Sequence, residues 1–302
     1  MTISAKIIKD SISPDGVRLI TYELDYPRII HSELMTHRVF SRNSASSRAI
    51  PVSKVIELVE SNPAMPVHWG KNQAGMQADE ELDALTKESV RQLWLEAAQQ
   101  AVSIAKVMND LKAHKQVVNR ILEPFQHMKV VVTATEWNNW FWLRNHKDAD
   151  PTIKALAAAM WNEFIGSSPT LLRPGQWHLP YVKSEMSEVY NEINYFDHED
   201  QPITLEQARM VSASCCAQTS YRKTDGTLEK AEDIFKKLVE SEPCHASPVE
   251  HQATPIHSEN NNHSLMWDDG ITHITSFGEL WSNNFKGWLQ FRALIPNNVK
   301  LG

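Results

Sequence analysis

The segment THRVFSRNSASSR, residues 36–48, is the most informative stretch of the sequence. It places three arginines, one histidine and four serines within 13 residues. Guanidinium forks and hydroxyl groups are suited to bind a phosphate or a planar nucleobase. The segment therefore predicts an anion-binding site. The alternative is a solvated basic loop, because Arg and Ser side chains are mostly exposed in proteins.

The residues before this segment predict a β-hairpin followed by a helix. Strands over 5–12 and 17–24 flank the turn Ser13-Pro14-Asp15-Gly16, in which proline and glycine preset the turn dihedral angles. The apolar periodicity of residues 29–40 then predicts a helix, and the polar residues 41–48 predict a loop.

The residues after this segment predict a mainly helical middle and a second half with a different organisation. Helices are expected over 79–111, 128–144, 152–164, 204–221 and 228–240, with a last apolar helix over 285–295. Thr204 is a plausible N-cap residue. Residues 166–201 contain prolines and several aromatic side chains, which is typical of a linker or an extended segment. We therefore expect three parts: 1–165, a linker over 166–203, and 204–302.

The composition excludes several classes of protein. The chain has 302 residues, with 30 Lys+Arg against 37 Asp+Glu and a formal net charge of −7. These values exclude a disordered or collagen-like protein and give no electrostatic footprint for duplex nucleic acid. Three cysteines, two of them adjacent, cannot form a complete disulfide framework. The sequence has no apolar signal core and no stretch of about 18 apolar residues, so we expect a cytoplasmic protein without a membrane partner.

A second candidate site lies in the middle of the chain. Arg120 opens the segment RILEP over 120–124, and Asn139 and Arg144 follow within a tryptophan-rich segment. Five residues apart on a helix, Asn139 and Arg144 lie about 140° around its axis and could border one pocket from two sides. The alternative is that the tryptophans belong to the core and that Arg144 neutralises the C-terminal end of the helix.

A third candidate site is the segment CHASPVEH, residues 244–251. Ser247, Pro248 and Glu250 occupy the positions of an N-cap, a first helical residue and an acidic third residue. Such a helix N-terminus would favour an anion. Histidines recur every six residues at 245, 251, 257 and 263. Because six is neither a helical spacing nor that of a zinc finger, we predict surface histidines and no metal site.

The three segments together resemble the flavin-dependent thymidylate synthases, which methylate the uracil of deoxyuridylate without a catalytic cysteine. Residues 36–48 are similar to the family's Arg-His-Arg signature with its downstream Ser, Asn, Ser and Arg. Residues 120–124 resemble its Arg-x-x-x-Pro element, and Asn139 with Arg144 resembles its Asn-x-x-x-x-Arg pair. The resemblance implies an α+β fold, with a mixed or antiparallel sheet flanked by long helices.

The order of the motifs differs from that of the family. Residues 216–221 and 245–251 resemble motifs that the family carries before its signature, and here they follow it. We therefore expect a permuted member, in which residues 204–302 supply what is ordinarily the N-terminal portion.

The resemblance implies a role for each matching residue. The residues expected to bind the flavin are His37, Arg38, Asn139, Ser220, His245, Ser247 and Glu250. The residues expected to bind a pyrimidine deoxynucleotide monophosphate are Ser46, Arg48, Arg120 and Arg144. Arg144 is the predicted catalytic residue, because a guanidinium beside the pyrimidine stabilises negative charge as C5 becomes nucleophilic. The resemblance also implies FAD as cofactor, methylenetetrahydrofolate and NADPH as co-substrates, and a homo-oligomer, specifically a tetramer.

Three departures from the family pattern leave alternatives open. Thr36 and Thr135 stand where arginines are expected, and Ser44 stands where a glutamate is expected. Arg292 is a candidate to supply a missing charge from the tail of the chain. The alternatives to thymidylate synthesis are C5 hydroxymethylation, modification of another pyrimidine nucleotide such as dCMP, and a non-catalytic homologue that binds flavin or nucleotide.

Overall fold

A five-stranded sheet in the order β3-β4-β2-β1-β5 organises the first half of the chain. The structure is a computed structural model that describes residues 3–75, 77–187, 192–220, 224–257 and 267–300. The strands among these residues are β1 (Ser4–Ile12), β2 (Arg18–Pro27), β3 (Ser41–Ser44), β4 (His127–Ala134), β5 (Thr170–Leu171), β6 (Lys183–Met186), β7 (Ile193–Phe196), β8 (Pro202–Ile203), β9 (Ala253–Pro255), β10 (His273–Ile274), β11 (Leu280–Ser282), β12 (Phe285–Lys286) and β13 (Trp288–Gln290).

The helices over Asn138–Arg144 and Pro151–Gly166 pack against one face of this sheet. The α-helices are α1 (His31–Leu34), α2 (Val52–Ser61), α3 (Ala84–Asp110), α4 (Lys115–Val118), α5 (Asn138–Arg144), α6 (Pro151–Gly166), α7 (Leu205–Ala217) and α8 (Leu228–Leu238). Short 3₁₀ helices cover Arg28–Ile30, Asn119–Phe125, Ser247–Glu250 and Phe291–Leu294. Among the residues described, no helix is both long enough and apolar enough to cross a membrane.

The sheet is mixed, which confirms the predicted α+β class. β1 and β2 form the predicted hairpin, and Gly16 in its turn has a φ of +79°, a conformation that glycine adopts at low cost. β2 and β3 pair antiparallel with β4, whereas β5 pairs parallel with β1. β3 is therefore an edge strand, next to β4 alone within the sheet.

Side chains alternate between two faces along β2 and β4. On one face Tyr22, Tyr26 and Val132 pack in a core with the aromatic side chains of α5 and with α6, and we call this the α5 face. On the other face Thr21 contacts His178, which follows β5, and Thr133 contacts His251, which follows the 3₁₀ helix Ser247–Glu250. Asn43 of β3 bonds the end of α7 on this side, and we call it the α7 face. The sheet thus separates two packing environments.

The prediction of a helix over 128–144 is wrong for the first half of that range. Residues His127–Ala134 form β4, which pairs with β2 and β3, and only Asn138–Arg144 are helical. The run Val130-Val131-Val132-Thr133 is β-branched and wholly buried between two neighbouring strands. Such residues favour a central strand, and the apolar periodicity alone could not distinguish it from a buried helix.

The helix predicted over 29–40 and the loop over 41–48 also need correction. The helical part is limited to Arg28–Ile30 and His31–Leu34, and Ser41–Ser44 form β3. Asn43 is buried and donates a hydrogen bond from Nδ2 to the Cys216 carbonyl oxygen at 3.1 Å. Polar strand residues therefore find partners that are distant in sequence, which local patterning does not reveal.

Two predictions for the second half of the chain are wrong. Residues 285–295 form β12, β13 and a 3₁₀ helix instead of one helix, with Gly287 at a positive φ between the two strands. Ser247 lies inside the 3₁₀ helix Ser247–Glu250, whose N-cap is Ala246, and no side chain caps that helix. There is thus no capped α-helix at this segment.

The remaining helix predictions are confirmed, with adjusted ends. The 79–111 helix is α3, the 152–164 helix is α6, and the 228–240 helix is α8. The 204–221 helix is α7, in which Thr204 forms a capping box with Gln207, and it ends at Ala217. Tyr221, His263 and the three asparagines at 260–262 lie outside the described residues.

Candidate active site

Arg144 and His37, two residues of separate predicted motifs, are in direct contact on the α5 face. Arg144 donates from Nε to His37 Nε2 at 3.1 Å. Its NH1 group bonds Glu33 Oε2 at 2.9 Å, and its NH2 group bonds Thr36 Oγ1 at 3.2 Å. α5 supplies the arginine, and the segment that leads into β3 supplies its three partners. We call these four side chains the Arg144 cluster.

His37 is neutral in this arrangement. Its ring stacks on Phe40 with a centroid distance of 5.5 Å and meets the edge of Trp140 at 4.8 Å. Burial, with the neighbouring guanidinium groups of Arg144 and Arg42, lowers the pKa of His37 to about 4. Because Nε2 accepts the Arg144 hydrogen bond, the ring proton is on Nδ1.

A second charged group lies at the free edge of the sheet, beside β3. Arg292 NH1 bonds the carboxylate of Glu250. Burial raises the pKa of Glu250, whereas Arg292 and Arg42 act in the opposite direction. Gln290 donates from Nε2 to Ser41 Oγ at 3.2 Å and to the Glu250 carbonyl oxygen at 3.0 Å, which attaches this group to β3. The tail arginine therefore lies at a predicted flavin residue, Glu250.

Ser46 and Ser220 meet on the opposite side of the molecule, at the α7 face. The Ser46 amide donates to Ser220 Oγ at 2.7 Å, which joins the signature segment to the residues that follow α7. Beside this contact is a cavity of about 270 Å³. Its lining is mostly apolar, and Asp25, Lys54, Lys129 and Thr219 add polar groups to it. A cavity with apolar walls and a few polar groups is typical of a small-molecule site.

Arg120 joins the signature segment through one carboxylate. Glu123 Oε1 accepts hydrogen bonds from Arg120 NH1 and from Ser47 Oγ, both at 3.0 Å. Arg28 NH2 is 3.1 Å from the same oxygen. Glu123 thus fixes Arg120 close to the segment that contains Ser46 and Arg48.

Six predicted site residues have exposed side chains: Arg38, Arg48, Arg120, Asn139, His245 and Ser247. In the part of the chain that is described, none of these side chains hydrogen-bonds to another predicted site residue. Their donors face solvent and are accessible to a ligand.

A chain of buried polar side chains on the α7 face was not predicted from the sequence. Thr21 Oγ1 lies 2.9 Å from His178 Nε2 and 2.7 Å from Thr133 Oγ1, and Thr133 Oγ1 lies 2.8 Å from His251 Nδ1. His178 Nδ1 is 2.8 Å from Ser11 Oγ. A threonine in the middle of each of two apolar strands is the sequence signal that could have indicated it.

The prediction that the histidines recurring every six residues lie at the surface is wrong for one of them. His251 is fully buried in the polar chain, whereas His245 and His257 are exposed. Among the described residues, no group of three or more His, Cys, Asp or Glu side chains is arranged to hold a metal ion.

A comparison with protein-family profiles matches the part of the chain that contains the motifs. The sequence profile of the thymidylate synthase complementing protein family matches residues 17–170, which contain the signature, Arg120 and the Arg144 cluster. No curated protein matches the sequence significantly.

Similar solved structures include a UMP/dUMP methylase, PolB, from Streptomyces cacaoi, in crystal forms with 5-Br UMP and with 5-Br dUMP. The identity is 14% in both cases, with TM-scores of 0.47 and 0.45. The alignments cover 54% of this chain and 89% or 90% of the PolB chain. The profile match covers half of the present chain and includes β2, β4, α5 and α6 of the α5 face. The chain belongs to the thymidylate synthase complementing protein family and is a thymidylate synthase-like methyltransferase.

Proposed function

We propose that this protein methylates C5 of deoxyuridine monophosphate, with methylenetetrahydrofolate as one-carbon donor and NADPH as reductant. The observation that carries the proposal is the contact of Arg144 with His37, which joins the two family motifs on one face of the sheet. The reaction adds a methylene group at C5, removes the C5 proton and adds one hydride. FAD, when bound, supplies the hydride-transfer and group-transfer chemistry.

Arg144 is the proposed catalytic residue. Its guanidinium is one-fifth exposed, so that it is accessible to a ligand and only partly screened by water. A guanidinium at the pyrimidine stabilises the negative charge that develops as C5 becomes nucleophilic. Ser46, Arg48 and Arg120 are the proposed ligands of the nucleotide, because hydroxyl and guanidinium donors suit its phosphate.

The proposed flavin residues carry donors that suit a dinucleotide. Arg38, Asn139, His245 and Ser247 present a guanidinium, an amide, an imidazole and a hydroxyl group to solvent. These groups fit the diphosphate and the ribose hydroxyls of FAD. His37, Ser220 and Glu250 complete the proposed set. Arg292 forms an ion pair with Glu250, which supports the proposal that Arg292 replaces a missing arginine of the signature.

The complete site is proposed to require more than one copy of the chain. Arg144 lies on the α5 face, whereas Ser46 contacts Ser220 on the α7 face, and the sheet lies between them. A homo-oligomer, proposed to be a tetramer, would bring the α5 face of one copy to the α7 face of another.

We also propose a cytoplasmic location. All three cysteines lie among the described residues, and none of them forms a disulfide.

The permuted order is a second part of the proposal. The Ser46–Ser220 contact and the Gln290–Ser41 hydrogen bond join residues 204–302 to the signature segment. This supports the view that residues 204–302 replace an N-terminal portion. The division into 1–165, 166–203 and 204–302 is proposed from the prolines and aromatic side chains of the middle segment.

The test is an absorption titration followed by a turnover assay. The protein is incubated with FAD, freed of excess cofactor and titrated with dUMP, and a flavin band that shifts with nucleotide supports a shared site. Formation of dTMP with methylenetetrahydrofolate and NADPH then tests the reaction. Turnover with dCMP, or a hydroxymethylated product, would replace the proposed substrate or product, and failure to bind FAD would overturn the proposal.

A further inference from the structure

Glu33 is a charged partner of Arg144 that the sequence motifs do not include. Its carboxylate oxygen Oε2 lies 2.9 Å from Arg144 NH1. The two side chains come from elements 111 residues apart in sequence. Glu33 is about one-third exposed, so that the ion pair lies at the surface of the α5 face.

Arg144 is bonded on all three of its nitrogens. Nε–H donates to His37, NH1 to Glu33 and NH2 to Thr36. A guanidinium has five N–H groups in a rigid plane. Three bonds from three nitrogens fix the orientation of that plane and leave two N–H groups for a ligand.

The hydroxyl of Thr36 strengthens this arrangement. Its proton is donated to the Glu33 carbonyl oxygen at 2.7 Å, so that its oxygen is left to accept from Arg144. An arginine at position 36, as in the family pattern, would place a second cation against Arg144. The threonine removes that repulsion, and a single carboxylate, Glu33, then balances the Arg144 charge.

We propose that Glu33 is a positioning residue, which holds the Arg144 guanidinium in the orientation needed at the pyrimidine. The proposal deepens the proposed function and rests on it, because Arg144 is the group that would contact the nucleotide. Glu33 itself acts only through Arg144. When a catalytic group is misplaced by about 1 Å or less, turnover falls more than the affinity for the substrate does.

The first experiment replaces Glu33 by its uncharged isostere. In Glu33→Gln we expect kcat for dTMP formation to fall about tenfold, with KM for dUMP changed by less than about twofold. In Arg144→Lys, which lacks the guanidinium plane, adding Glu33→Gln should change kcat by less than about twofold, because the two residues act as one unit. An equal loss in both backgrounds would overturn the proposal.

The matched control is Glu88→Gln. Glu88 forms an exposed ion pair with Arg91 on α3, at 3.5 Å, and is not one of the hydrogen-bond partners of Arg144. The same chemical change there should leave kcat and KM unchanged. A tenfold loss in this control would show that the effect of Glu33→Gln is not specific.

A second measurement does not depend on turnover. In ¹⁵N NMR spectra, the Arg144 Nε–H signal, assigned by its loss in Arg144→Lys, should exchange slowly with water because His37 accepts it. We expect fast exchange in Glu33→Gln. Slow exchange retained in Glu33→Gln would overturn the proposal. If the wild-type protein transfers no one-carbon group, the proposed function fails, whereas this NMR result still decides whether Glu33 positions Arg144.

Discussion

His178 and His251 are two buried histidines that act together through Thr21 and Thr133. Burial lowers the pKa of His251 to about 3, and it also lowers the pKa of His178, with smaller contributions from Lys9 and His251. Both rings are therefore neutral at physiological pH. Their hydrogen bonds connect β2 and β4 to the residues that follow β5 and the 3₁₀ helix Ser247–Glu250, so that protonation of either ring disturbs several segments.

This arrangement predicts a loss of stability in mild acid. A histidine whose pKa is lower in the folded protein stabilises the fold above its unfolded pKa of 6.5, and that stability decreases as pH falls from 6.5 toward the folded pKa. We expect His251 to reduce the free energy of unfolding by about 2 kcal/mol between pH 7 and pH 5, and His178 to act in the same direction. Urea unfolding at pH 7 and at pH 5 measures the free energy of unfolding at each pH. A free energy of unfolding that does not change between pH 7 and 5 would contradict it.

At the residue scale, sequence reasoning found both partners of one contact and missed a partner in others. The resemblance to the family singled out His37 and Arg144, and the structure places them in contact. It did not identify Glu33, because a carboxylate outside a motif gives no local signal, and its partner lies 111 residues away. It also did not identify His178, whose role depends on burial and on threonines of other strands.

At the scale of elements, the predictions succeeded where local chemistry decides the structure. The turn at Gly16 and the Thr204 cap follow from dihedral preferences and from a hydrogen bond within one turn. They failed at β3 and β4, because a short polar strand and a buried valine-rich strand are stabilised by pairing with each other and with β2. Such pairing is long-range and does not appear in periodicity.

The Thr204 cap leads to a prediction for α7. Thr204 Oγ1 accepts from the Gln207 amide at 3.2 Å, and Gln207 Oε1 accepts from the Thr204 amide at 2.9 Å. Thr204→Ala should reduce the free energy of unfolding by about 1 kcal/mol and lower Tm by about 2–4 °C. Thr204→Ser retains the hydroxyl and is the control. A Tm loss in the serine variant as large as in the alanine variant would contradict the assignment to the cap.

At the scale of the whole molecule, the five-stranded sheet separates the two groups of proposed site residues. Arg144 lies on the α5 face. Arg48 follows Ser46, whose oxygen Oγ accepts from the Arg48 amide, while the Ser46 amide bonds Ser220 on the α7 face. β3, at the edge of the sheet, borders both faces. In the proposed homo-oligomer, the Arg48 of one copy would complete the site that contains the Arg144 of another copy.

Complementation between inactive variants tests this arrangement. Arg144→Ala and Arg48→Ala should each lose at least about 100-fold in turnover, because each removes a charged group from every site. When the two variants are co-expressed with different tags and isolated as mixed oligomers, a shared site would contain both arginines in about a quarter of cases, and activity should return to about a quarter of the wild-type value. Each variant alone, prepared in the same way, is the control. If the mixed oligomers are no more active than these controls, every site is built within one chain, and the path from Arg144 to Arg48 must then pass around the β3 edge of that same chain.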